Sequence, residues 1–120
     1  MWITYALMGI VALLHTYFMV LEMFLWTKPE TARAFGMTPE LAAATATLAS
    51  NMGLYNLFLA AGLVFAVAHR NSDLFTAVAT FFLGCIVVAG LFGAATVGHR
   101  ILFAQALPAA LALGALYAGI

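Results

Sequence analysis

Four long apolar stretches follow one another along the chain, separated by three connections that hold most of the charged residues. They occupy residues 2–26, 46–68, 74–97 and 101–119. An α-helix needs roughly 20 mostly apolar residues to cross about 30 Å of hydrocarbon, so each stretch can form a transmembrane helix. The runs are too long and too uniformly apolar for the alternating strands of a membrane barrel. The pattern predicts an all-α integral membrane protein, a four-helix transmembrane bundle that forms one domain over residues 1–120.

The first connection is the longest, and its residues predict a short interfacial helix. Thr27 is placed to cap a helix with Pro29 in its first turn, and Gly36 is a suitable residue to end that helix. Thr38 is placed to cap the next helix, which has Pro39 in its first turn. The second long helix is therefore expected to begin near Pro39, several residues before its apolar part.

The composition supports the membrane assignment and reduces the classes of partner that the chain is expected to bind. The chain is 67% hydrophobic and only 7% charged, whereas soluble domains have roughly 45–50% and about 25%. Four basic residues balance four acidic ones, so no basic patch suggests nucleic-acid binding. The lone Cys85 excludes an intramolecular disulfide. The expected partner is the lipid bilayer, with the first stretch retained as an anchor because no basic residue precedes its apolar core.

The few charged residues also suggest an orientation. Lys28, Arg33 and Arg100 lie in the first and third connections, and Arg70 lies in the second. By the positive-inside rule, the first and third connections face the cytoplasm and both chain ends face outward.

Four polar residues lie at a similar predicted depth, one on each long helix. Glu22, Asn51, Thr96 and Gln105 all fall within about one helical turn, or 5–6 Å, of one level. An unpaired polar group in hydrocarbon costs several kcal/mol, so we expect these side chains to face one another across the bundle. They either line a binding site or form interhelical hydrogen bonds that only fix the packing.

Glu22 is the strongest candidate for chemistry because ionisable side chains within membrane spans often have a functional role. His15 lies seven residues earlier, on nearly the same face of the helix and roughly 10 Å deeper. In a dry pocket the two groups could act as a catalytic acid and base. The alternative is a structural salt bridge from Glu22 to Arg33 or Arg100.

Further candidate ligand-binding residues lie near Glu22 in this interpretation. Trp26 follows it on the first helix, and Thr47, Asn51 and Tyr55 form a polar stripe at spacing i, i+4 on the second helix. Asn56 points about 140° away from Asn51 on an ideal helix, so we expect it to make another contact. Thr96 and Gln105 complete the predicted ligand-binding set.

The sequence does not predict a metal site. Zinc needs three or four ligands close together, and His15 and Glu22 are too far apart on a straight helix to share one ion. His69 and His99 fall in connections on opposite sides of the membrane. The sequence does not identify a cofactor, although it is compatible with haem ligation by His15 alone.

Small residues repeat every four positions on the fourth helix, at Ala106, Ala110, Gly114 and Ala118. Such a ridge allows close helix contact, either within one bundle or between copies in a homo-oligomer. Pro108 should disturb the same helix and free the carbonyl group four residues earlier.

Several motifs together identify a family resemblance over nearly the whole chain. They are Leu21-Glu22-Met23-Phe24-Leu25-Trp26 with the preceding His15, Phe35-Gly36 with Thr38-Pro39-Glu40, Asn51 with Gly53-Leu54-Tyr55-Asn56, Phe82-Leu83-Gly84-Cys85 with Val88-Ala89-Gly90, Gly93-Ala94-Ala95-Thr96-Val97, and Ile101-Leu102-Phe103 leading to Gln105 and Pro108. The chain resembles a family of small four-span bacterial membrane proteins known as domain of unknown function 1304. The resemblance implies a bacterial inner-membrane protein and brings no established activity.

The leading functional hypothesis is a bundle that binds a lipophilic small molecule. The polar end of that molecule would point toward Glu22, Asn51, Tyr55 and Gln105, within otherwise apolar walls. An enzymatic version is an acid/base isomerisation in which Glu22 and His15 handle protons. The alternatives are a small oligomeric exporter or channel, and a structural or partner-binding membrane protein. A cavity closed on one side would favour binding or catalysis, and a polar path across the membrane would favour transport.

Overall fold

The computed structural model describes all 120 residues, and every element in it is helical. The elements are α1 (Trp2–Phe24), α2 (Pro29–Ala34), α3 (Pro39–Ala68), α4 (Leu74–Thr96), a π-helical turn (Leu102–Ala106) and α5 (Leu107–Ala118). The all-α prediction is confirmed. Each apolar stretch forms a helix whose end lies within about three residues of the predicted limit, and α3 begins at Pro39 as expected.

Three helices, α1, α3 and α4, are long and apolar enough to cross a membrane. Residues Leu102–Ala118 form a shorter apolar helical segment. The longest helix, α3, has 30 residues and extends about 45 Å at 1.5 Å per residue. A helix of this length is longer than a hydrocarbon core of about 30 Å, so to cross one it has to protrude or tilt.

The first connection contains the predicted short helix. Gly36 ends α2 with a left-handed φ of 67°, a conformation that glycine adopts without strain. Thr38 caps α3 as expected, because its hydroxyl accepts a hydrogen bond of 3.1 Å from the N–H of Leu41. The predicted cap at Thr27 is wrong: α2 begins at Pro29, so Lys28 occupies the cap position and makes no side-chain cap bond.

The irregularity predicted near Pro108 is a π-helical turn. It covers Leu102–Ala106, and Pro108 follows in the first turn of α5. Proline lacks an N–H, and its ring presses on the carbonyl group four residues earlier. A π turn holds one more residue than an α turn, so the helix is widened where the normal ladder of hydrogen bonds is lost.

The chain divides into two compact units. The first unit comprises Met1–Leu14 and Leu59–Ile120, and it contains the hydrophobic core. Its largest fully buried apolar side chains are Met8, Leu63, Leu83, Ile86 and Val11.

Two close contacts hold the first unit together. A Cβ atom built on Gly90 would lie 2.5 Å from the backbone nitrogen of Ala106, so α4 approaches the backbone of the π turn directly. The carbonyl oxygen of Ile120 accepts hydrogen bonds from both the hydroxyl group (2.7 Å) and the backbone N–H (3.1 Å) of Thr4. The first turn of α1 and the end of α5 are therefore adjacent.

The small-residue ridge predicted on the fourth helix does not form the contact surface of α5. Of its members only Ala106 is buried, while Ala110, Gly114 and Ala118 are exposed. The buried small residues of α5 are Ala109, Ala112 and Ala115. The sequence offers alanine on more than one face, so a four-residue repeat alone does not identify the face that packs.

The second unit comprises His15–Phe58. It contains the second half of α1, all of α2 and the first two thirds of α3. Most of the polar residues proposed for a site belong to this unit.

Candidate functional site

Glu22 is a buried carboxyl group with an amide partner on another helix. Its side chain is only 8% exposed, two residues before the end of α1. The side-chain N–H of Asn56 on α3 donates a hydrogen bond of 2.5 Å to Glu22 Oε1. The prediction that Glu22 points inward and bonds to another helix is confirmed. The partner is an amide, and not the guanidinium group of Arg33 or Arg100 that the salt-bridge alternative required.

Close packing of α1 and α3 keeps this carboxyl group away from the surroundings. A Cβ atom on Gly53 would lie 2.5 Å from Met23 Cγ and 3.2 Å from Glu22 Cβ. It would also lie 3.2 Å from the carbonyl oxygen of Met19. Only a glycine at position 53 permits this approach, and Asn56 follows it by three residues on the same side of α3. The Glu22–Asn56 pair therefore lies where α1 and α3 pack closely, beside the side chain of Met23 and the backbone of Met19.

Trp26 makes a second polar contact in the same unit. Its indole N–H donates a hydrogen bond of 3.0 Å to the hydroxyl oxygen of Thr45. That hydroxyl group in turn donates to the carbonyl oxygen of Leu41 at 2.8 Å. The Trp26 ring also lies against the ring of Phe35, with centroids 5.1 Å apart. Trp26 therefore links the end of α1 to α3 through Thr45, and its predicted role in ligand binding stays a prediction.

His15 lies on the same buried side of α1 as Glu22. It is fully buried, and its ring makes an edge contact with the ring of Phe18 at 5.5 Å. Thr4, Met8 and Val11 precede it at helical spacing and are also buried. His15 thus belongs to one continuous buried stripe. Its separation from Glu22, seven residues or about 10 Å along α1, means that no single small group reaches both.

Asn51 was expected to be a partner of Glu22, and that expectation is wrong. Asn51 is exposed, and its amide N–H donates a hydrogen bond of 2.9 Å to the carbonyl oxygen of Thr47, four residues earlier. Tyr55 is 59% exposed on the same side of α3. The physical reason is the position of Gly53, which selects the side of α3 that approaches α1 and turns the stripe containing Asn51 outward.

Thr96 and Gln105 belong to the first unit. Thr96 is exposed, and its hydroxyl group donates a hydrogen bond of 2.8 Å to the carbonyl oxygen of Phe92 in its own helix. This local bond removes the need for a partner across the bundle. Gln105 is half-buried within the π turn. Their predicted role in ligand binding stays a prediction.

Asn56 is the site residue that was not selected from the sequence. The clue was the Gly53-Leu54-Tyr55-Asn56 motif, in which glycine and asparagine are three residues apart and share one side of a helix. A glycine in a membrane helix often marks a close helix contact, so the polar residue beside it was the better candidate partner for Glu22.

A separate apolar cleft lies in the first unit. It has a volume of about 320 Å³ and runs between the first half of α1 and the second half of α3. Its walls include Tyr5, Met8, Gly9, Ala12, Leu63 and Val67. The cleft is lined almost wholly by apolar atoms and contains none of the predicted site residues. This cleft is therefore distinct from the predicted pocket with Glu22 at its polar end, which stays a prediction.

The titratable residues do not gather into a metal-binding cluster. No group of three or more His, Cys, Asp or Glu side chains lies close enough together to hold an ion. The chemistry available to the chain is that of a buried carboxyl–amide pair, a buried imidazole and an apolar cleft.

Comparison with known proteins assigns the chain to a family. A family model described as "Protein of unknown function (DUF1304)" matches residues 9–117. "Uncharacterized protein YpaA" from Lactococcus lactis subsp. lactis (strain IL1403) is 32% identical over 113 residues, which cover 92% of this chain and 93% of that protein. No solved structure matches the chain. The chain therefore belongs to the DUF1304 family of proteins, as the motifs around Glu22, Gly53 and Pro108 predicted.

Proposed function

We propose that this protein binds a lipophilic small molecule within the membrane, in the apolar cleft between α1 and α3. The observation that carries the proposal is the cleft itself, with a volume of about 320 Å³. That volume falls in the range of small-molecule sites, which are mostly apolar and largely preformed. Because the walls offer almost no polar surface, the bound part of the ligand is a hydrocarbon chain or ring system.

Gly9 offers a direct test because its side of the cleft is open. No atom lies within 4 Å of a Cβ atom built there, and Gly9 lines the cleft, so Gly9→Leu adds four carbon atoms at the cleft wall. The probe is a dansyl-labelled fatty acid, with the protein in phosphatidylethanolamine/phosphatidylglycerol nanodiscs. Trp2, whose ring centroid is 6.4 Å from that of Tyr5, serves as the energy donor. We expect Gly9→Leu to weaken saturable binding by at least about tenfold, equivalent to ~1.4 kcal/mol.

Gly114→Leu is the matched control. A Cβ atom built on Gly114 also meets no atom within 4 Å, and this glycine lies on α5, outside the cleft. The substitution should leave the dansyl signal and its displacement by unlabelled fatty acid unchanged. Equal binding by Gly9→Leu and the unmodified protein, or equal loss in both variants, would contradict the proposal.

A second candidate function is acid/base chemistry at Glu22. The supporting observation is that a carboxyl group and an imidazole group, Glu22 and His15, are both buried on one side of α1. Their separation of about 10 Å means that they would serve two positions of an elongated substrate in an isomerisation. This function does not use the cleft, so the cleft-filling experiment leaves it open and substitutions of Glu22 itself address it.

We further infer that the chain crosses the bacterial inner membrane four times, with both ends outside. The hydrogen bonds between Thr4 and Ile120 support an even number of crossings, since they bring the first and last turns to one side. Residues Leu102–Ala118 would then make the fourth crossing. At about 26 Å this segment is close to the thickness of a hydrocarbon core.

The crossing number is testable by labelling with a membrane-impermeant maleimide in a Cys85→Ser background. Cysteines placed at Ser72 and Gly119 should both be labelled from outside, because positions after two and after four crossings lie on the same side. Labelling of both from the cytoplasm would reverse the orientation. Labelling from opposite sides would contradict four crossings.

A further inference from the structure

One end of the apolar cleft lies where α3 stops. The walls of the cleft run from Tyr5 to Ala12 on α1, about 10 Å of helix, and reach Val67 and Ala68 on α3. Since α3 ends at Ala68, the polar residues of the second connection follow this wall directly. Trp2, which is 86% exposed, lies one turn before Tyr5. Tryptophan and basic side chains are typical of the level at which a helix leaves the hydrocarbon, so we call this end the mouth of the cleft.

Arg70 holds its guanidinium group beside the mouth. Its Nη1 donates a hydrogen bond of 3.2 Å to the carbonyl oxygen of Val67, a residue of the cleft wall. His69, the neighbouring basic residue, is turned toward Phe65, which is not a wall residue. Its Nδ1 lies 2.8 Å from the carbonyl oxygen of Phe65, and the centroids of the two rings are 4.1 Å apart. Of these two side chains, Arg70 is therefore the one beside the mouth.

The contact with Val67 uses only a small part of what Arg70 offers. An arginine near the end of a helix commonly bonds to one of the last carbonyl groups, and one N–H of Arg70 does so. A guanidinium group has five N–H donors and a permanent charge. Because Arg70 is exposed, its other donors are accessible. Carboxylate and phosphate groups are the acceptors that match this fork of donors.

We propose that the ligand of the cleft is an anionic amphiphile, an acyl chain with a carboxylate or phosphate group, whose acidic end is bound by Arg70 at the mouth. This proposal rests on the proposed function, because it assigns the polar end of a molecule whose apolar part lies in the cleft. Asp73 lies three residues after Arg70, so the proposal depends on the position of the guanidinium group and not on the net charge of the connection. A free fatty acid and an acidic phospholipid both have this chemistry.

The test uses two dansyl-labelled probes that differ only in charge, a fatty acid and its methyl ester. The protein is placed in phosphatidylcholine nanodiscs at about pH 9, where the carboxyl group of the acid is ionised. Arg70→Gln should weaken saturable binding of the acid by about tenfold, which is typical of a lost hydrogen bond to a charged group. Binding of the ester should not change. Arg70→Lys should retain part of the affinity for the acid, since it keeps the charge but not the fork of donors.

Arg100→Gln is the matched control, because Arg100 is also exposed but lies in the third connection, outside the cleft. It removes the same charge and should leave the binding of both probes unchanged. Equal weakening by Arg70→Gln and Arg100→Gln, or equal weakening of acid and ester by Arg70→Gln, would overturn the proposal. If both probes bind equally well and Arg70→Gln changes neither, the lipophilic site stands and only its preference for an acid is wrong. If neither probe binds saturably to the unmodified protein, the proposed function itself is contradicted.

A second membrane composition distinguishes the two sources of the acidic group. Phosphatidylglycerol nanodiscs repel the acid probe equally from every variant, so the comparison is between the unmodified protein and Arg70→Gln in each lipid. A larger loss of acid binding in the unmodified protein than in Arg70→Gln would identify the phospholipid headgroup as the competitor at the mouth. Equal losses in the two proteins would identify a free fatty acid as the ligand.

Discussion

Replacing Glu22 with leucine should destabilise the protein by about 1–3 kcal/mol, because it leaves the Asn56 amide without its acceptor in a dry site. Glu22→Gln should reduce the free energy of unfolding much less, since the carbonyl oxygen of glutamine can accept the same hydrogen bond at nearly the same position. The measurement is unfolding of the detergent-solubilised protein, followed by circular dichroism, for both variants and for the unmodified chain.

A double-substitution cycle separates this hydrogen bond from other consequences of removing Glu22. Asn56→Leu alone strands the carboxyl group, while Glu22→Leu with Asn56→Leu removes both polar groups. The double variant should therefore be more stable than the sum of the two single effects predicts. Additive losses would mean that the 2.5 Å contact between these side chains does not contribute to stability.

The same variants distinguish a structural role of Glu22 from a functional one. Because the cleft contains neither Glu22 nor Asn56, Glu22→Gln should bind the dansyl-labelled fatty acid as the unmodified protein does. Acid/base chemistry predicts instead a folded Glu22→Gln protein that has lost turnover, since the titratable proton has been removed. A loss of probe binding in Glu22→Gln would place the polar end of the ligand at this carboxyl group, as the sequence-based hypothesis expected.

The second large effect is expected at Gly90. A Cβ atom there would lie 2.5 Å from the nitrogen, 2.7 Å from the Cβ and 2.8 Å from the Cα of Ala106. Two of these are backbone atoms, and the position of the third, a Cβ atom, is fixed by the backbone. The clash therefore cannot be relieved by rotating a side chain. Gly90→Ala should therefore destabilise the protein by about 1–3 kcal/mol through overpacking, and Gly90→Leu by more.

Gly84→Ala is the matched control for this prediction, because it lies on the same helix and a Cβ atom there meets nothing within 4 Å. Alanine is the better helix former, so Gly84→Ala should be neutral or stabilising by up to about 1 kcal/mol. Thermal unfolding of the two alanine variants in one detergent gives the comparison. Similar stabilities would mean that α4 and the π turn can separate without cost.

The positions of the helices could be predicted from the sequence because long apolar runs and caps mark where helices begin and end. Gly36 and Thr38 fulfilled their predicted roles at the ends of α2 and α3. The rotation of each helix about its axis was harder to predict. In a soluble protein the polar side of a helix identifies the buried side, but in a membrane both the lipid and the protein interior are apolar.

The candidate site shows which residues could be selected without knowing how each helix is rotated about its axis. Glu22 was selected correctly, since a carboxyl group must find a partner in hydrocarbon. The partner of Glu22 was not selected correctly, because Asn51 and Asn56 are equally polar. Only the close approach of α3 to α1 at Gly53 decides which of the two faces Glu22. Thr96 satisfies its hydroxyl group within its own helix, which depth along the sequence does not reveal. The cleft was also unpredictable, because it is a gap between apolar surfaces that carry no distinguishing residue.

The π turn at Leu102–Ala106 has a consequence for comparing this chain with related sequences. A turn with one extra residue shifts the angular phase of everything after it, by about 100° relative to an uninterrupted helix. A helical wheel drawn through residues 102–118 as one regular helix therefore assigns the wrong side to much of α5. A relative that lacks one residue in this turn could keep the same packed surface if its alignment gap were placed between Ile101 and Leu107. Conserved faces in this family should be compared separately on the two sides of the turn.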